Sequence, residues 1–278
     1  MITDVPGIRV GHHTNADART GCTVVLPPAG AVASGEIRGG APAERDFALL
    51  APERSVQHVD AVVLSGGSVY GLAAVEGVQR WCDEQGLGLE TPAGQVPIVV
   101  GLSIFDLMRA RSGVRPTADD AYAACAAASD SPPEVGTVGA GTGATVGGWR
   151  GLDQARPAGI GSASERQGDL VVGALAVVNA FGDVRALERE QADLGALQAL
   201  PFPGNTTLAV VATNARLDKT GCFLLAQSAH DGFARALEPT HTAADGDAAV
   251  AMATGAVDAP LDLVRALTAR AVEAAIRR

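Results

Sequence analysis

The chain has 278 residues, the length of one large domain or of two small, closely packed ones. Hydrophobic residues make up 47% of it and charged residues 19%, which allows a large core and excludes the compositional class of disordered chains. The formal net charge is −10 and only 4% of the residues are aromatic, so a basic or base-stacking surface for nucleic acids is not expected. The composition predicts a globular protein that binds no nucleic acid.

The N-terminus, the cysteines and the histidines carry no targeting or metal-binding signal. The first residues, MITDVPGIRVGHH, lack the positive and apolar regions of a secretory signal, and no uninterrupted apolar stretch of membrane-spanning length follows. We therefore expect a cytoplasmic protein that does not bind a membrane. The four cysteines form no C-x-x-C pair and are expected to be buried, reduced thiols. The histidines lack zinc-site spacing and are expected at the surface or at caps, so we predict neither a metal nor a cofactor.

Short apolar or β-branched runs between turn residues predict the strands of the N-terminal half. They lie at 7–11, 22–26, 59–65 and 96–102. Apolar residues three or four apart predict a helix over 68–85. A second helix is predicted over the alanine-rich segment 117–129, with Thr117 as its N-terminal cap.

The C-terminal half begins with an apolar run that predicts a strand over 169–184, followed by a polar connector over 185–205. The connector ends in PFPGN, and its residues 201–204 are the best candidate for an exposed, cleavable segment. Beyond it we predict strands at 206–215 and 246–255, a helix at 219–236 and an amphipathic helix at 260–278. Because strands and helices do not alternate regularly, a layered α+β fold is favoured over a doubly wound parallel one.

Two glycine-rich segments resemble known motifs without matching them. The segment GGSVYG at 66–71 lies at a strand-to-helix turn, but Tyr70 stands where a nucleophile elbow needs its second glycine. Ser68 is therefore expected to cap the helix or, with Tyr70, to line a pocket. The segment GAGTGA at 139–144 opens no helix and carries no Gly-Lys-Ser/Thr, so nucleotide binding is not predicted.

Thr206 is the first residue of a predicted strand and directly follows the breaker-rich connector. A threonine hydroxyl is a weak nucleophile without an adjacent base, and an N-terminal threonine supplies that base through its own α-amine. Cleavage before Thr206 would therefore create both groups in one residue. Asp245 and Asp247 flank a glycine, and in a strand both carboxylates would lie on one face and could orient the ammonium and hydroxyl of Thr206. The alternative is a polar turn that leads into the next strand.

Seven segments in chain order carry a family resemblance. They are RGGAP at 38–42, LSGGSVYG at 64–71, GAGTGATV at 139–146, VNAFGDV at 178–184, NTT at 205–207, ATN at 212–214 and HTAADGD at 241–247. On these residues the chain resembles the self-processing DmpA-type hydrolases with an N-terminal nucleophile. This family includes L-aminopeptidase/D-esterases, β-peptidyl aminopeptidases and NylC-type nylon-oligomer hydrolases.

The resemblance implies a four-layer αββα sandwich and a precursor that cleaves itself between Asn205 and Thr206. One domain, 1–278, would then consist of an α chain, 1–205, and a β chain, 206–278, and would assemble into a homotetramer. Thr206 matches the nucleophile, Asn179 the amide that stabilises the oxyanion, and Asp245 and Asp247 the acidic pair near the new amine.

The substrates implied by the resemblance are aminoacyl amides, peptides and 6-aminohexanoate oligomers, with the NylC branch the most similar. Relatives in that branch carry a lysine near the position of Gly148, whereas the single lysine of this chain is Lys219. Two alternatives remain: an acyl transferase similar to ornithine acetyltransferases, and an unprocessed, non-enzymatic binding protein. Thr207 is the competing candidate for the nucleophile, on the opposite face of the strand.

Overall fold

The computed structural model describes residues 1–111, 113–185 and 204–278. Most of the predicted connector, including residues 201–203 of its Pro-Gly cluster, lies outside the described residues. Two five-stranded sheets and four α-helices form the body of the described structure.

The first sheet is built from the N-terminal part of the chain. Its spatial order is β1 (Arg9–Asn15), β2 (Thr20–Leu26), β5 (Ala61–Ser65), β8 (Val99–Ser103) and β4 (Glu44–Arg45). The pair β5 and β8 is parallel and the other pairs are antiparallel. Every residue of β2, β5 and β8 is buried, which is expected of strands covered on both faces.

The second sheet positions the candidate nucleophile. Its spatial order is β11 (Ile160–Gln167), β12 (Leu170–Asn179), β14 (Thr206–Ala215), β16 (Ala248–Val257) and β3 (Val32–Ile37). The central strand β14 is antiparallel to β12 and parallel to β16, and all of its residues are buried. Its first residue therefore stands at the end of the sheet, between two strands that fix it on both sides.

Helices cover the outer face of each sheet. On the first sheet, α1 (Ala74–Glu84) and α2 (Ala118–Ala126) share one hydrophobic cluster with β2, β5 and β8. On the second, α3 (Lys219–Ala236) and α4 (Leu261–Ile276) share a cluster with β11, β12, β14 and β16. A third cluster joins the inner faces of the two sheets. The order is helix, sheet, sheet, helix, which confirms the predicted α+β, four-layer αββα sandwich.

Shorter elements complete the described chain. The remaining strands are β6 (Leu89–Thr91), β7 (Gly94–Val96), β9 (Thr145–Val146), β10 (Arg156–Pro157), β13 (Asp183–Val184) and β15 (Leu237–Glu238). Turns of 3-10 helix lie at Ile2–Asp4, Phe47–Leu50, Ser68–Ala73, Gly139–Gly141, Gly148–Arg150 and Leu152–Gln154. Within the described ranges no helix is long and apolar enough to cross a membrane.

One predicted helix cap is confirmed, whereas Ser68 and two of the longer strands differ from the prediction. Thr117 caps α2 as predicted, since its hydroxyl accepts the Asp120 N–H. Ser68 does not cap a helix, because Gly67 occupies the cap position and Ser68 itself begins a 3-10 turn with a left-handed φ of 53°. Strands β3 and β11 were not predicted, because the Gly, Ser and charged residues in VASGEI and IGSASERQ weaken the apolar pattern.

Candidate active site

The hydroxyl of Thr206 lies directly against the carbonyl of the residue before it. Thr206 is the first residue of β14 and is 3% exposed. Its Oγ1 donates a hydrogen bond to the Asn205 carbonyl oxygen at 2.5 Å. The predicted nucleophile and the bond predicted to be cleaved are therefore in contact, away from bulk water.

A second donor reaches the same carbonyl from the segment before β16. The Gly246 N–H lies 2.8 Å from the Asn205 oxygen, and the Asn205 N–H donates to the Ala244 oxygen at 3.2 Å. This pairing forms a parallel bridge between Asn205 and Asp245. A backbone N–H aimed at a carbonyl oxygen stabilises negative charge that develops there. The Asn205 carbonyl is thus polarised by Gly246 and approached by the hydroxyl of Thr206.

Residue 246 needs to be a glycine at this place. A Cβ added there would lie 2.6 Å from the Ala41 oxygen and 2.8 Å from the Thr206 Oγ1. Both distances are shorter than real Cβ contacts, so a side chain would displace the hydroxyl or the 41–42 segment. The close approach of the backbone to the hydroxyl depends on the missing side chain.

Asn179 lies opposite Thr206 in the pairing of β12 with β14. Its side chain is 1% exposed; Oδ1 accepts the Thr145 N–H at 3.0 Å, and Nδ2 donates to the Phe105 oxygen at 3.1 Å. A side-chain amide has two N–H groups, so one donor of Nδ2 is left for a further acceptor. These contacts fix the amide in a direction in which it can serve an oxyanion beside Thr206.

Asp245 is buried and all its contacts are with groups near the scissile bond. Its Oδ1 accepts the Phe181 N–H at 3.1 Å, and its Oδ2 accepts the hydroxyl and the N–H of Thr242 at 2.6 and 3.0 Å. Burial, and next the charge of Asp247, raise the pKa of Asp245 to about 6. Its carboxyl group is therefore able to change charge near neutral pH.

Asp247 is held by donors from two elements. Its Oδ1 accepts a hydrogen bond from the Thr207 backbone N–H at 2.6 Å. Its Oδ2 accepts hydrogen bonds from two groups of His241, the ring nitrogen Nδ1 at 2.8 Å and the backbone N–H at 3.1 Å. The predicted acidic pair therefore lies beside the start of β14. In the uncleaved chain Asp247 contacts the amide of Thr207, one residue beyond the amine that it was predicted to orient.

Two histidines behind Asp247 belong to the site and were not singled out from the sequence. The rings of His230 and His241 are 4.8 Å apart, and His230 is fully buried with its Nε2 3.1 Å from the Glu36 oxygen. Burial lowers the pKa of His230 to about 3. The prediction that histidines lie at the surface or at caps is wrong for His230, and the adjacency of His241 to the Asp-Gly-Asp segment was the available signal.

A cavity of about 370 Å³ opens beside Thr206. It is lined by residues 41–44, 68, 69, 72, 103, 105 and 204–206. Ser68 lines this cavity, whereas Tyr70 is not among the lining residues. The Tyr70 side chain is 58% exposed, and the Arg115 guanidinium lies 4.3 Å from the centre of its ring.

A buried carboxylate that the sequence did not reveal supports one wall of the cavity. Asp106 is 1% exposed and accepts the Thr20 hydroxyl and the Gly67 N–H, both at 2.7 Å. Burial raises the pKa of Asp106. The hydrogen bond to Gly67 fixes the turn that presents Ser68 to the cavity.

The single lysine of the chain takes no part in the site. Lys219 is 3% exposed, and its Nζ donates to the carbonyl oxygens of Leu49, Arg54 and Val56 at 2.7, 3.0 and 2.6 Å. At Gly148 an added Cβ would meet one atom within 4 Å, the Asn205 Oδ1 at 3.9 Å. Gly148 therefore faces the side chain of Asn205 and has room for a side chain.

Comparisons with known proteins show the family to which the chain is similar. The family model described as peptidase family S58 matches residues 1–277. An uncharacterized aminopeptidase of Mycobacterium tuberculosis is 45% identical over 292 aligned residues, covering 93% of this chain and 83% of the relative. The 6-aminohexanoate-oligomer endohydrolase of a Kocuria species is 29% identical, covering 92% of this chain and 76% of the relative.

Among solved structures, the β-aminopeptidase of a Burkholderia species has a TM-score of 0.76. It is 28% identical in sequence, and the match covers 99% of this chain and 84% of that chain. The likeness therefore extends over both sheets and both helix layers of the fold rather than over an isolated motif.

Proposed function

Because the chain belongs to peptidase family S58 and is an amidohydrolase of the aminopeptidase type, we propose that its nucleophile is Thr206, exposed by self-cleavage of the Asn205–Thr206 bond. One observation carries the proposal: the Thr206 Oγ1 lies 2.5 Å from the Asn205 oxygen, which also accepts the Gly246 N–H at 2.8 Å. Attacking hydroxyl, acyl group and oxyanion donor are thereby in one place.

Maturation takes two steps. The Thr206 Oγ bonds to the Asn205 carbonyl carbon, the bond from that carbon to the Thr206 nitrogen breaks, and the hydroxyl proton ends on the departing nitrogen. Negative charge on the Asn205 oxygen is stabilised by the Gly246 N–H. Water then hydrolyses the ester, which leaves a carboxylate on Asn205 and a free amine on Thr206.

Turnover uses the same hydroxyl on a substrate amide. The free amine of Thr206 accepts the hydroxyl proton, the Oγ bonds to the substrate carbonyl carbon, and the protonated leaving amine departs. The free N–H of Asn179 and the N–H of Gly246 stabilise the oxyanion, and water releases the acyl group. An α-amine titrates near pH 8, so a useful fraction is neutral at working pH.

The acidic pair acts through position and charge. Asp247 accepts the Thr207 N–H and so fixes the backbone from which Thr206 projects. Once the bond is cut, the new ammonium of Thr206 forms beside Asp245 and Asp247. We propose that they orient this group and tune its pKa, because nearby anions favour the protonated form.

Substrates are aminoacyl amides, peptides or 6-aminohexanoate oligomers, on the strength of the resemblance to the NylC-type and aminopeptidase branches. The same resemblance supports a homotetramer. Light scattering coupled to size exclusion tests the assembly, and a panel of aminoacyl p-nitroanilides and aminohexanoate oligomers tests the substrate branch.

A matched pair of variants tests the nucleophile. Thr206→Val keeps the shape of the side chain and removes the hydroxyl, so the protein is expected to remain one chain of 28.0 kDa on a denaturing gel. Thr207→Val is the control: the Thr207 Oγ1 is buried without a hydrogen-bond partner in the described chain, so its loss costs no bond. Cleavage of Thr206→Val, or loss of cleavage in Thr207→Val alone, would reject the assignment.

A further inference from the structure

The cavity beside Thr206 receives the acyl part of the substrate. Gly204 and Asn205 both line it, and both stand on the acyl side of the bond that the Thr206 hydroxyl is proposed to cut. A substrate attacked by the same hydroxyl presents its carbonyl at the place of the Asn205 carbonyl. Its acyl group therefore extends into the space that Gly204 and Asn205 border.

The lining of this cavity combines apolar and polar surface and includes a single charged side chain among the described residues. Pro42, Val69, Leu72 and Phe105 contribute apolar surface. The charged residue is Glu44, the first residue of the short strand β4. Glu44 is exposed to solvent as well as lining the cavity, so an incoming cation can reach its carboxylate.

Glu44 is oriented by one hydrogen bond and has no ion-pair partner in the described chain. Its Oε2 accepts the Phe47 N–H at 3.1 Å, at the start of the 3-10 turn Phe47–Leu50. No arginine, lysine or histidine of the described ranges lies within ion-pair distance of it. The side chain is therefore positioned, charged and available to a ligand.

The other carboxylates that could recognise a substrate amine are already occupied. Asp245 and Asp247 each accept hydrogen bonds on both oxygens from the protein itself. Asp106 does the same with Thr20 and Gly67. Glu36 pairs with the Arg38 and Gln227 side chains and is not a lining residue of the cavity.

We propose that Glu44 binds the free ammonium group of the substrate's acyl unit and thereby makes the enzyme select substrates with an unblocked N-terminus. This inference rests on the proposed function of Thr206. The substrate class is a short acyl group, which fits a cavity of about 370 Å³, carrying a primary ammonium that reaches Glu44. Removal of residues from the amino end of an oligomer follows from this selection.

The test compares three purified proteins on two substrates. The proteins are wild type, Glu44→Gln, and the control Glu90→Gln, whose residue lines a different cavity. The substrates are alanine p-nitroanilide with a free amine and its N-acetylated counterpart. Intact mass of each protein is measured first, because Asn205 carries no free amine and self-cleavage should not need Glu44.

We expect all three proteins to be cleaved before Thr206. Glu44→Gln should lower kcat/KM for the free-amine substrate about tenfold, mainly through KM, since a charge-assisted hydrogen bond is lost. Its kcat/KM for the acetylated substrate should be unchanged, and Glu90→Gln should match wild type on both.

Each other outcome counts against a specific part of the account. Cleaved Glu44→Gln that equals wild type on the free-amine substrate overturns the role of Glu44 and leaves Thr206 intact. Equal losses on both substrates assign Glu44 a structural role through Phe47 and also overturn the inference. A wild-type chain that is never cleaved overturns the proposed function itself.

Discussion

Two cavities of this protein differ in a way that shows what marks a functional site. The cavity beside Thr206 has a volume of about 370 Å³, whereas a second one, bordered by His58, Asp60 and Glu90, has about 530 Å³. The larger cavity has more titratable side chains, but no hydroxyl in it is pressed against a carbonyl. At the smaller one, the Thr206 hydroxyl and the Gly246 N–H both contact the Asn205 carbonyl oxygen, and the proposed nucleophile rests on this arrangement.

The lesson is that directed polar groups, rather than volume, distinguish the site. Beside the smaller cavity, the Asn179 amide is oriented by hydrogen bonds with Thr145 and Phe105. In the larger one, the Gln57 amide is occupied with the carbonyls of Arg54 and Ser55 in its own loop. Substitutions of similar chemistry in the two cavities should therefore have very different effects.

The largest expected difference in kcat is between substitutions of two side-chain amides, that of Asn179 beside the smaller cavity and that of Gln57 in the larger one. Asn179→Ala removes an oxyanion donor and should lower kcat by about 100-fold to 1000-fold. Gln57→Ala removes an amide with two hydrogen bonds from the larger cavity and should leave kcat within about twofold, since surface changes away from the chemistry are small. Steady-state kinetics on the cleaved proteins measure both, and similar losses in the two variants would contradict the comparison.

The next effect concerns one glycine that contacts Thr206, Gly246, and one that lines the larger cavity, Gly30. In Gly246→Ala the new Cβ would lie 2.8 Å from the Thr206 Oγ1, so the hydroxyl must move. A misplacement of about 1 Å can cost on the order of 100-fold in rate, and we expect self-cleavage to slow by about that factor. A time course of chain cleavage on denaturing gels measures it.

The control for that variant is Gly30→Ala in the larger cavity. Gly30 has a φ of 82°, so alanine is strained there, yet an added Cβ meets no atom within 4 Å. Gly30→Ala should lose about 1 kcal/mol of stability and still be cleaved at the normal rate. Slow cleavage in both variants would mean that lost stability, and not the displaced hydroxyl, is the cause.

A third difference lies in the pH dependence of stability, which the groups behind the smaller cavity should dominate. The pKa of His230 is lowered from 6.5 to about 3, so the unfolded chain binds this proton first as pH falls. The stabilisation from neutral His230 is complete above pH 6.5 and is lost between pH 6.5 and about 3. The pKa of Asp245 is raised from 3.8 to about 6, so its contribution has the opposite sign between those values.

Denaturant unfolding at several pH values tests these opposing contributions of His230 and Asp245 to the free energy of unfolding. As pH falls below about 6.5, the lowered pKa values of His230 and His12 should reduce the free energy of unfolding, and protonation of Asp245, whose pKa is raised, should partly offset the loss. Relative to wild type, His230→Gln should lose less free energy of unfolding between pH 6.5 and 4, and Asp245→Asn should lose more. If the free energy of unfolding depends on pH in His230→Gln as it does in wild type, the contribution assigned to His230 is wrong.

The smallest expected effect is that of His58→Gln. His58 is exposed at the edge of the larger cavity and takes no part in the contacts of Thr206. Cleavage and kcat/KM should change by less than about twofold, as for most surface substitutions. A loss above tenfold would give the larger cavity a part in catalysis and remove the basis of the comparison.

The sequence predicted the scaffold of the site better than its contacts. Apolar periodicity predicted the strand from Thr206 and the helix Lys219–Ala236 with its observed bounds, because both elements are buried and strongly patterned. The spacing of Asp245 and Asp247 around a glycine singled out the acidic pair, whereas the four layers and the role of Asn179 came from the family resemblance, since side chains far apart in the chain give no local signal of proximity.

The contacts that decide the chemistry could not be predicted from spacing. The N–H of Gly246 reaches the Asn205 carbonyl through a bridge between distant segments, and backbone direction is not encoded in a residue pattern. Glu44 borders the cavity because β4 pairs with β8, a pairing of two residues that no periodicity indicates. His230 is buried by the packing of α3 and not by its own hydropathy.

N-terminal sequencing of the purified, active wild-type protein, combined with its intact mass, tests the central claim most directly. The account predicts two chains from one gene product, the smaller beginning with Thr206 and reading TTLAVVATNA. An active protein that is a single chain of 28.0 kDa, or one whose second chain begins at Thr207 or elsewhere, would contradict it.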